Sequence, residues 1–478
     1  MAGKRHISHN HRPPSDEELP EIEHDILKAL NASVDRVLKQ ANDVQGDPGV
    51  YVGISGIVLM NTQLASLAEE AGIGAEEDFL APNDRYLTTA LHLFPSVLHK
   101  PRTPARSSFL ETSVGLATLM LIHTKTNDSH KYPWQKCLQI IERASQDIVV
   151  ETAVSDDDGC EVLYGRAGFL YALLRLRRSF SEDTVTEVGL AVNASNVISD
   201  GNIERVAANI IARGRYGAQE YAAQLRSDAG PRLMWSWHAK RYLGGAHGVA
   251  GILNVLLQCP SHLLNEAYDD IWDTVDWFVS IQDEDGNWPS KAPAHTAYDV
   301  NELIQWCHGA PGVLMLLARA LQHPSVARYA RRVPSALRAV DRAANLVYRR
   351  GLLRKGIGAC HGTAGSIFAL LAAARLYAHR AVAAEDGNGK GRVEGPGGLE
   401  TRARQEEKAR ENVARAAHLA HLVLMPEVVA KMGTPDRPHS LYEGLAGMVC
   451  AWGSVLLALR GRAGADERWG LPGFDDLC

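Results

Sequence analysis

The chain has 478 residues, 46% of them hydrophobic and 22% charged, with a formal net charge of -6. That balance is ordinary for a soluble globular protein, and it excludes nucleic-acid binding driven by bulk electrostatics. The seven cysteines (Cys137, Cys160, Cys259, Cys307, Cys360, Cys450 and Cys478) are odd in number and scattered through a chain too long to need disulfide staples. A reducing, cytoplasmic setting is the expectation.

Taken in order, the chain opens with MAGKRHISHNHRPPSDEELPE, a polar stretch without the apolar core of a secretory signal. Residues 1–20 read as a flexible segment ahead of a single domain over 21–478. The longest apolar runs, such as GSIFALLAAA before Arg375, fall short of the roughly 20 residues that a bilayer span needs.

From Gly53 onward one unit repeats. Gly53-Ile-Ser-Gly56 opens the run IVLM, and a weaker copy, Thr112-Ser-Val-Gly115, opens LATLMLI. Gly165-Arg-Ala-Gly168, Gly248-Val-Ala-Gly251, Gly309-Ala-Pro-Gly312, Gly362-Thr-Ala-Gly365 and Gly444-Leu-Ala-Gly447 follow. The run after each pair is apolar on nearly all sides, which predicts a buried inner helix. The segments between, such as HLLNEAYDDIWDTVDWFVSI over 262–281, are amphipathic and predict outer helices. An all-α fold follows: an α/α toroid, a double-layered barrel of about seven inner and seven outer helices. The glycines serve tight turns and close backbone approach, not phosphate binding.

Two stretches interrupt the repeat. Asp283-Glu-Asp-Gly-Asn-Trp-Pro289 has turn composition and predicts a loop or short hairpin at one mouth of the toroid. Residues 382–412, rich in Gly and charge, read as a flexible surface insertion. Asp156-Asp-Asp158, the only Asp triplet, reads as a solvated loop, so the carboxylate cluster of a glycosidase or terpene cyclase is missing.

Most informative are Trp306-Cys307-His308-Gly309 and Ala359-Cys360-His361-Gly362, each a Cys-His-Gly triplet before an apolar run. Being in one register of a repeating fold, they can converge on a shared metal despite their separation. Two thiols and an imidazole suit zinc, and three protein ligands leave a fourth position open. At the start of inner helices, the positive end of the helix dipole favours thiolate. Spacing alone does not decide between His308 and His361.

With these motifs in place, the chain resembles the lanthionine synthetase C-like family, and its eukaryotic, glutathione-binding branch more than the bacterial peptide cyclases. The resemblance is carried by Glu161-Val-Leu-Tyr-Gly-Arg-Ala-Gly168, Tyr242-Leu-Gly-Gly-Ala-His-Gly-Val-Ala-Gly251, Trp306-Cys-His-Gly-Ala-Pro-Gly312, Lys355-Gly-Ile-Gly-Ala-Cys-His-Gly362 and Ser440-Leu-Tyr-Glu-Gly-Leu-Ala-Gly447. It implies zinc on Cys307, Cys360 and His361, glutathione as co-substrate, and thiol addition to dehydroalanine or dehydrobutyrine in proteins or peptides. It further implies His247 as acid/base and Glu161 in place of a cyclase Asp. His308 stands where cyclases place a Tyr and is a second candidate proton shuttle. Lys355 and Arg5 match positions that contact glutathione. Where eukaryotic relatives carry an Arg before Thr-Pro-Asp this chain has Gly433, so Arg437 or Lys431 would have to reach in. The competing expectations are a lanthionine-forming cyclase and a glutathione- and zinc-binding scaffold without turnover.

Overall fold

Apolar residues on every face of a helix can be buried only if neighbours surround it, and the arrangement of the glycine-led helices follows from that. The computed structural model describes residues 5–41, 46–71, 87–92, 103–126, 133–151, 154, 159–181, 195–227, 229–293, 301–386, 402–462 and 470–477. Its principal helices are α1 (Leu19–Lys39), α2 (Ile54–Ala71), α3 (Ser113–Thr126), α4 (Trp134–Val150), α5 (Arg166–Ser181), α6 (Asp200–Leu225) and α7 (Val249–Leu256). They continue with α8 (Tyr268–Ser280), α9 (Ala310–Gln322), α10 (Val333–Arg350), α11 (Thr363–Asp386), α12 (Arg402–Leu422), the short α13 (Pro426–Val429) and α14 (Leu445–Leu457).

Helices α2, α3, α5, α7, α9, α11 and α14 form the inner layer. Each packs on the next, and α14 closes the circle on α2. In α9, Leu314, Leu316 and Leu317 point in different directions yet all are fully buried. Truncating one such leucine to alanine costs about 2–5 kcal/mol. Helices α1, α4, α6, α8, α10 and α12 form the outer layer, with a helical stretch at 87–92 between α2 and α3 in the chain. Their patterning is one-sided: α1 buries Ile22, Ile26, Leu30, Val34 and Val37, while α10 buries Ala336, Ala339, Val340, Ala343 and Val347 and exposes Arg338, Arg342 and Arg349.

A ring of backbone hydrogen bonds joins the turns that lead into the inner helices. Tyr51 N donates to Leu110 O (3.0 Å), Ser108 N to Tyr164 O (3.0 Å), Leu163 N to Ala246 O (3.2 Å) and Gly245 N to Trp306 O (3.0 Å). Cys307 N then donates to Cys360 O (3.3 Å), Cys360 N to Tyr442 O (2.8 Å), and Tyr442 N closes the circle on Tyr51 O (3.0 Å). Each unit therefore satisfies a buried donor with the acceptor of the next. Glycine permits the approach: a Cβ on Gly244 would lie 2.0 Å from Cys307 O.

Elsewhere the structure differs from composition-based expectation. Residues 5–9, within the segment read as flexible, are docked: Ile7 N donates to Leu352 O (2.7 Å) and Arg354 N to Arg5 O (3.0 Å), while Ile7 is buried. Main-chain bonds and one apolar anchor offset the entropy that polar composition suggested would win. Within 382–412, residues 382–386 end α11 and 402–412 open α12, the latter carrying the i,i+4 pairs Arg402–Glu406 and Arg415–Glu411. Residues 387–401 and the triplet 156–158 lie outside the described residues. The 283–289 stretch is a turn as expected, and Asn287 Oδ1 caps α9 by accepting from Ala310 N at 2.7 Å. Nearby, β1 (Arg241–Tyr242) pairs antiparallel with β2 (Lys291–Ala292).

The C-terminal residues 470–477 plug the far end of the ring. Asp475 pairs with Arg319 of α9 (2.9 Å) and Arg375 of α11, and Asp476 with Arg175 of α5 (2.9 Å). No helix among the described residues is long and apolar enough to cross a membrane.

Candidate metal and thiol site

Cys307 sits on a tight turn in which Gln305 and His308 exchange backbone hydrogen bonds, both 3.1 Å. Cys360 and His361 occupy the equivalent turn before α11. The ring bond from Cys307 N to Cys360 O holds the two turns side by side, so the convergence of the cysteines is a consequence of unit-to-unit pairing. One sulfur from each cysteine and one ring nitrogen of His361 all lie within 4.8 Å of one another. Both cysteines are buried and His361 is half-buried. His308 is not in the group.

The electrostatics of the sulfurs are those of a pair sharing one proton. The Cys307 thiol is held well below its ordinary value, first by the hydrogen bond from Cys360 and further by His361, against burial. Burial, and then the neighbouring Cys307, push Cys360 well up. Buried charge of this kind is costly unless compensated, and a cation would compensate both sulfurs at once. A tetrahedral zinc with Zn–S bonds of about 2.3 Å and Zn–N of about 2.0 Å separates its ligand atoms by roughly 3.5–3.8 Å, and the three donor atoms here already lie within 4.8 Å of one another. The donor set therefore fits zinc.

In the two units that precede Cys307 around the ring, His247 Nδ1 lies 2.9 Å from Glu161 Oε2. Glu161 is 1% exposed, and its oxygens also accept the backbone N–H groups of Leu163 and Tyr164, both at 2.8 Å. Each described partner of this carboxylate is a donor, so Nδ1 of His247 carries the proton of their bond and Nε2 is left as an acceptor. The Glu161 side chain thus closes its own turn and fixes the imidazole. The wall continues in near-parallel rings: Tyr164 stands 6.0 Å from His247 at 16°, and Trp237 6.5 Å at 12°. The Arg106 guanidinium lies 4.2 Å above Tyr164. Tyr242 bridges this wall to His308, its ring 5.8 Å from His247 and 5.5 Å from His308. Burial holds His308 below its usual value, and its Nδ1 has no hydrogen-bond partner among the described residues.

Lys355 and Arg437 are exposed. Their loops meet: Gly433 N donates to Arg354 O at 2.6 Å, and Pro435 packs where a Cβ of Gly356 would project. Lys431 is exposed on the same loop as Gly433. Arg5, also exposed, pairs with Glu302 at 3.2 Å.

Sequence reasoning passed over several neighbours. The Tyr51 phenol and the Cys360 sulfur act on one another's ionisation, and Gln305 Nε2 lies 3.1 Å from Cys307 Sγ. Glu111 is pushed up to about 7 by burial and then by Asp47 and Glu443. The signal was register. Tyr51 stands as far before Gly56 as Cys307 before Gly312 and Cys360 before Gly365, and Glu111 and Glu443 stand where His308 and His361 do.

Comparison with known proteins agrees with this geometry. The model of the family described as lanthionine synthetase C-like protein matches residues 44–390. Glutathione S-transferase LANCL1 of Danio rerio is 26% identical over 310 residues, 63% of this chain and 60% of that protein. LanC-like protein GCL1 of Arabidopsis thaliana is 31% identical over 293 residues, 61% of this chain and 54% of that protein. The matched region thus spans less than two thirds of either relative. Among solved structures, nisin cyclase shares the fold with a TM-score of 0.50 at 15% identity, over 94% of this chain and 98% of that one. The toroid, its closed ring of turns and the family match lead to one conclusion: this chain belongs to the lanthionine synthetase C-like family and is akin to its eukaryotic members.

Proposed function

We propose that the chain adds the thiol of glutathione to dehydroalanine- or dehydrobutyrine-type electrophiles in proteins or peptides. The observation that carries this reading is the convergence of Cys307, Cys360 and His361 within 4.8 Å, with the His247–Glu161 pair spanning the two ring units before Cys307. Zinc, if held by those three side chains, would supply a Lewis acid able to keep a thiol ionised near neutral pH, where a free thiol with a pKa of about 8.5 is mostly protonated.

The remaining tasks fall to the chain itself. His247 Nε2 takes the thiol proton, with Glu161 stabilising the imidazolium that results. As the sulfur bonds to the β-carbon, the alkene's π pair moves onto the α-carbon and its carbonyl as an enolate. His247 then returns the proton to the α-carbon, so nothing is oxidised or reduced and no group leaves. His308, beside Cys307 and held low in basicity by burial, serves as a second relay. Tyr164, Trp237 and Tyr242 line the approach and exclude water from the developing enolate. Lys355, Arg437 and Arg5 are the cations for the two carboxylates of glutathione; Arg5 must leave Glu302 to serve. Abundant glutathione and reduced thiols place this activity in the cytoplasm.

The likeness of fold to nisin cyclase favours, as the second reading, closure of a peptide's own cysteine onto a dehydro residue. Purified protein incubated with a dehydroalanine peptide and glutathione, and separately with a peptide carrying both a cysteine and dehydroalanine, distinguishes the two by mass. A glutathione adduct that disappears in Cys360→Ala supports transfer, and a ring without an adduct supports cyclisation. Zinc and glutathione binding with neither product would leave a non-catalytic scaffold.

A further inference from the structure

We infer that Tyr51 and Gln305 are positioning residues that set the electron density on the two candidate ligand sulfurs, one neutral donor to each. The inference rests on the reading of Cys307, Cys360 and His361 as a metal centre and deepens it, by naming what tunes that centre toward an incoming thiol.

The Gln305 amide nitrogen lies 3.1 Å from Cys307 Sγ. An anionic sulfur only accepts, so the amide must present its N–H. The amide is held there by the two-way backbone pairing of Gln305 with His308, which leaves the turn little freedom. On the other sulfur, Tyr51 occupies the ring register of the cysteines, one unit beyond Tyr442. Its phenol reaches Cys360, while its ring lies 4.9 Å from that of Tyr442, nearly parallel at 24°. Three other buried tyrosine hydroxyls meet oxygen: Tyr442 donates to Pro472 O, Tyr171 to Asp476 and Tyr268 to Ser261 O. The Tyr51 phenol instead has the Cys360 sulfur as its neighbour. At its base, the device is fixed by the C-terminal segment, since Phe474 packs edge-on against Trp306 at 5.1 Å and Pro472 O holds the Tyr442 hydroxyl.

Two thiolates neutralise a divalent cation, and electron-rich sulfurs would leave it a weak Lewis acid. A hydrogen bond to each sulfur withdraws charge from it, so the ion recovers its pull on the substrate thiol. Partners that hydrogen-bond to metal ligands act through this route, and removing one costs roughly 10- to 100-fold in affinity or activity.

Cobalt(II), whose sulfur-to-metal charge-transfer absorption reports the energy of the sulfur electrons, is the probe. It is loaded into wild type, Tyr51→Phe, Gln305→Leu and the double variant. Both substitutions keep the side chain's bulk, and Gln305→Leu carries the test alone should Tyr51→Phe fail to fold. The expected result is a shift of the charge-transfer band to longer wavelength in each single variant and a larger shift in the double. Glutathione turnover of the zinc form is expected to fall roughly 10-fold. A purely structural role would alter how much cobalt is held and leave the band where it is. Identical bands in all four cobalt-loaded proteins overturn the inference but spare the metal reading; a wild type without any charge-transfer band overturns both.

Discussion

The mouth and the base of the helical ring use similar polar side chains in opposite ways. At the base every carboxylate is answered from within the chain: Asp475 by Arg319 and Arg375, Asp476 by Arg175 and the Tyr171 hydroxyl at 2.6 Å. At the mouth two thiols share a proton, His308 Nδ1 has no partner among the described residues, and Glu111 is pushed up to about 7 by burial and neighbouring acids. Buried charge that the chain satisfies itself is architecture. Charge and lone pairs left unsatisfied are held ready for something the chain does not contain.

Changes at the mouth should therefore damage chemistry and spare the fold, whereas changes at the base should do the reverse. The largest effect is expected from Cys360→Ala, which should drop glutathione adduct formation to the uncatalysed rate while thermal unfolding in the presence of chelator matches wild type. Retained turnover would dissolve the contrast. His247→Asn comes next, with a loss of roughly 100- to 10,000-fold in kcat/KM at unchanged metal content. At the base, Asp475→Ala removes the carboxylate between two buried guanidinium groups and should cost about 3–5 kcal/mol, read from urea unfolding. Metal bound per folded chain should be unaltered. Lys355→Ala should raise the KM for glutathione about 10-fold with little change in kcat, the loss of one charge-assisted hydrogen bond of about 1.5 kcal/mol.

The smallest effect is a pH dependence. The folded-state pKa of Glu111, about 7, is above its unfolded value near 4.5. Its ionisation therefore costs stability that is intact below the unfolded pKa and is lost progressively as pH rises through the folded one. Glu111→Gln should leave stability at pH 4 unchanged and raise it at pH 8 by about 1–2 kcal/mol, seen as a higher Tm only at the alkaline end. An equal shift at both pH values would remove Glu111 from the list of strained groups at the mouth.

The layering was legible because a glycine pair followed by an all-apolar run has few structural solutions, and seven such runs fix a ring. Cys307 and Cys360 could be paired on paper since both occupy one register, and the ring of backbone bonds shows why that register brings neighbours together. Tyr51 escaped notice although it shares the register, because a tyrosine in an apolar stretch looks like core until its hydroxyl is seen to face sulfur. The bond between His247 and Glu161 needed three dimensions, as the two come from different units. The plug was invisible for a related reason: Asp475 and Asp476 belong to no motif, and their arginines are spread over α5, α9 and α11. The docking of residues 5–9 rests on main-chain bonds, to which side-chain composition is blind.

The account stands on three side chains from adjacent turns holding one ion. Metal analysis of the purified wild type beside Cys307→Ala tests this most directly. About one zinc per chain in the wild type, and near none in a variant with an unchanged helical spectrum, is the expected result. Equal metal in both proteins, or none in the wild type after purification in zinc-containing buffer, would contradict it.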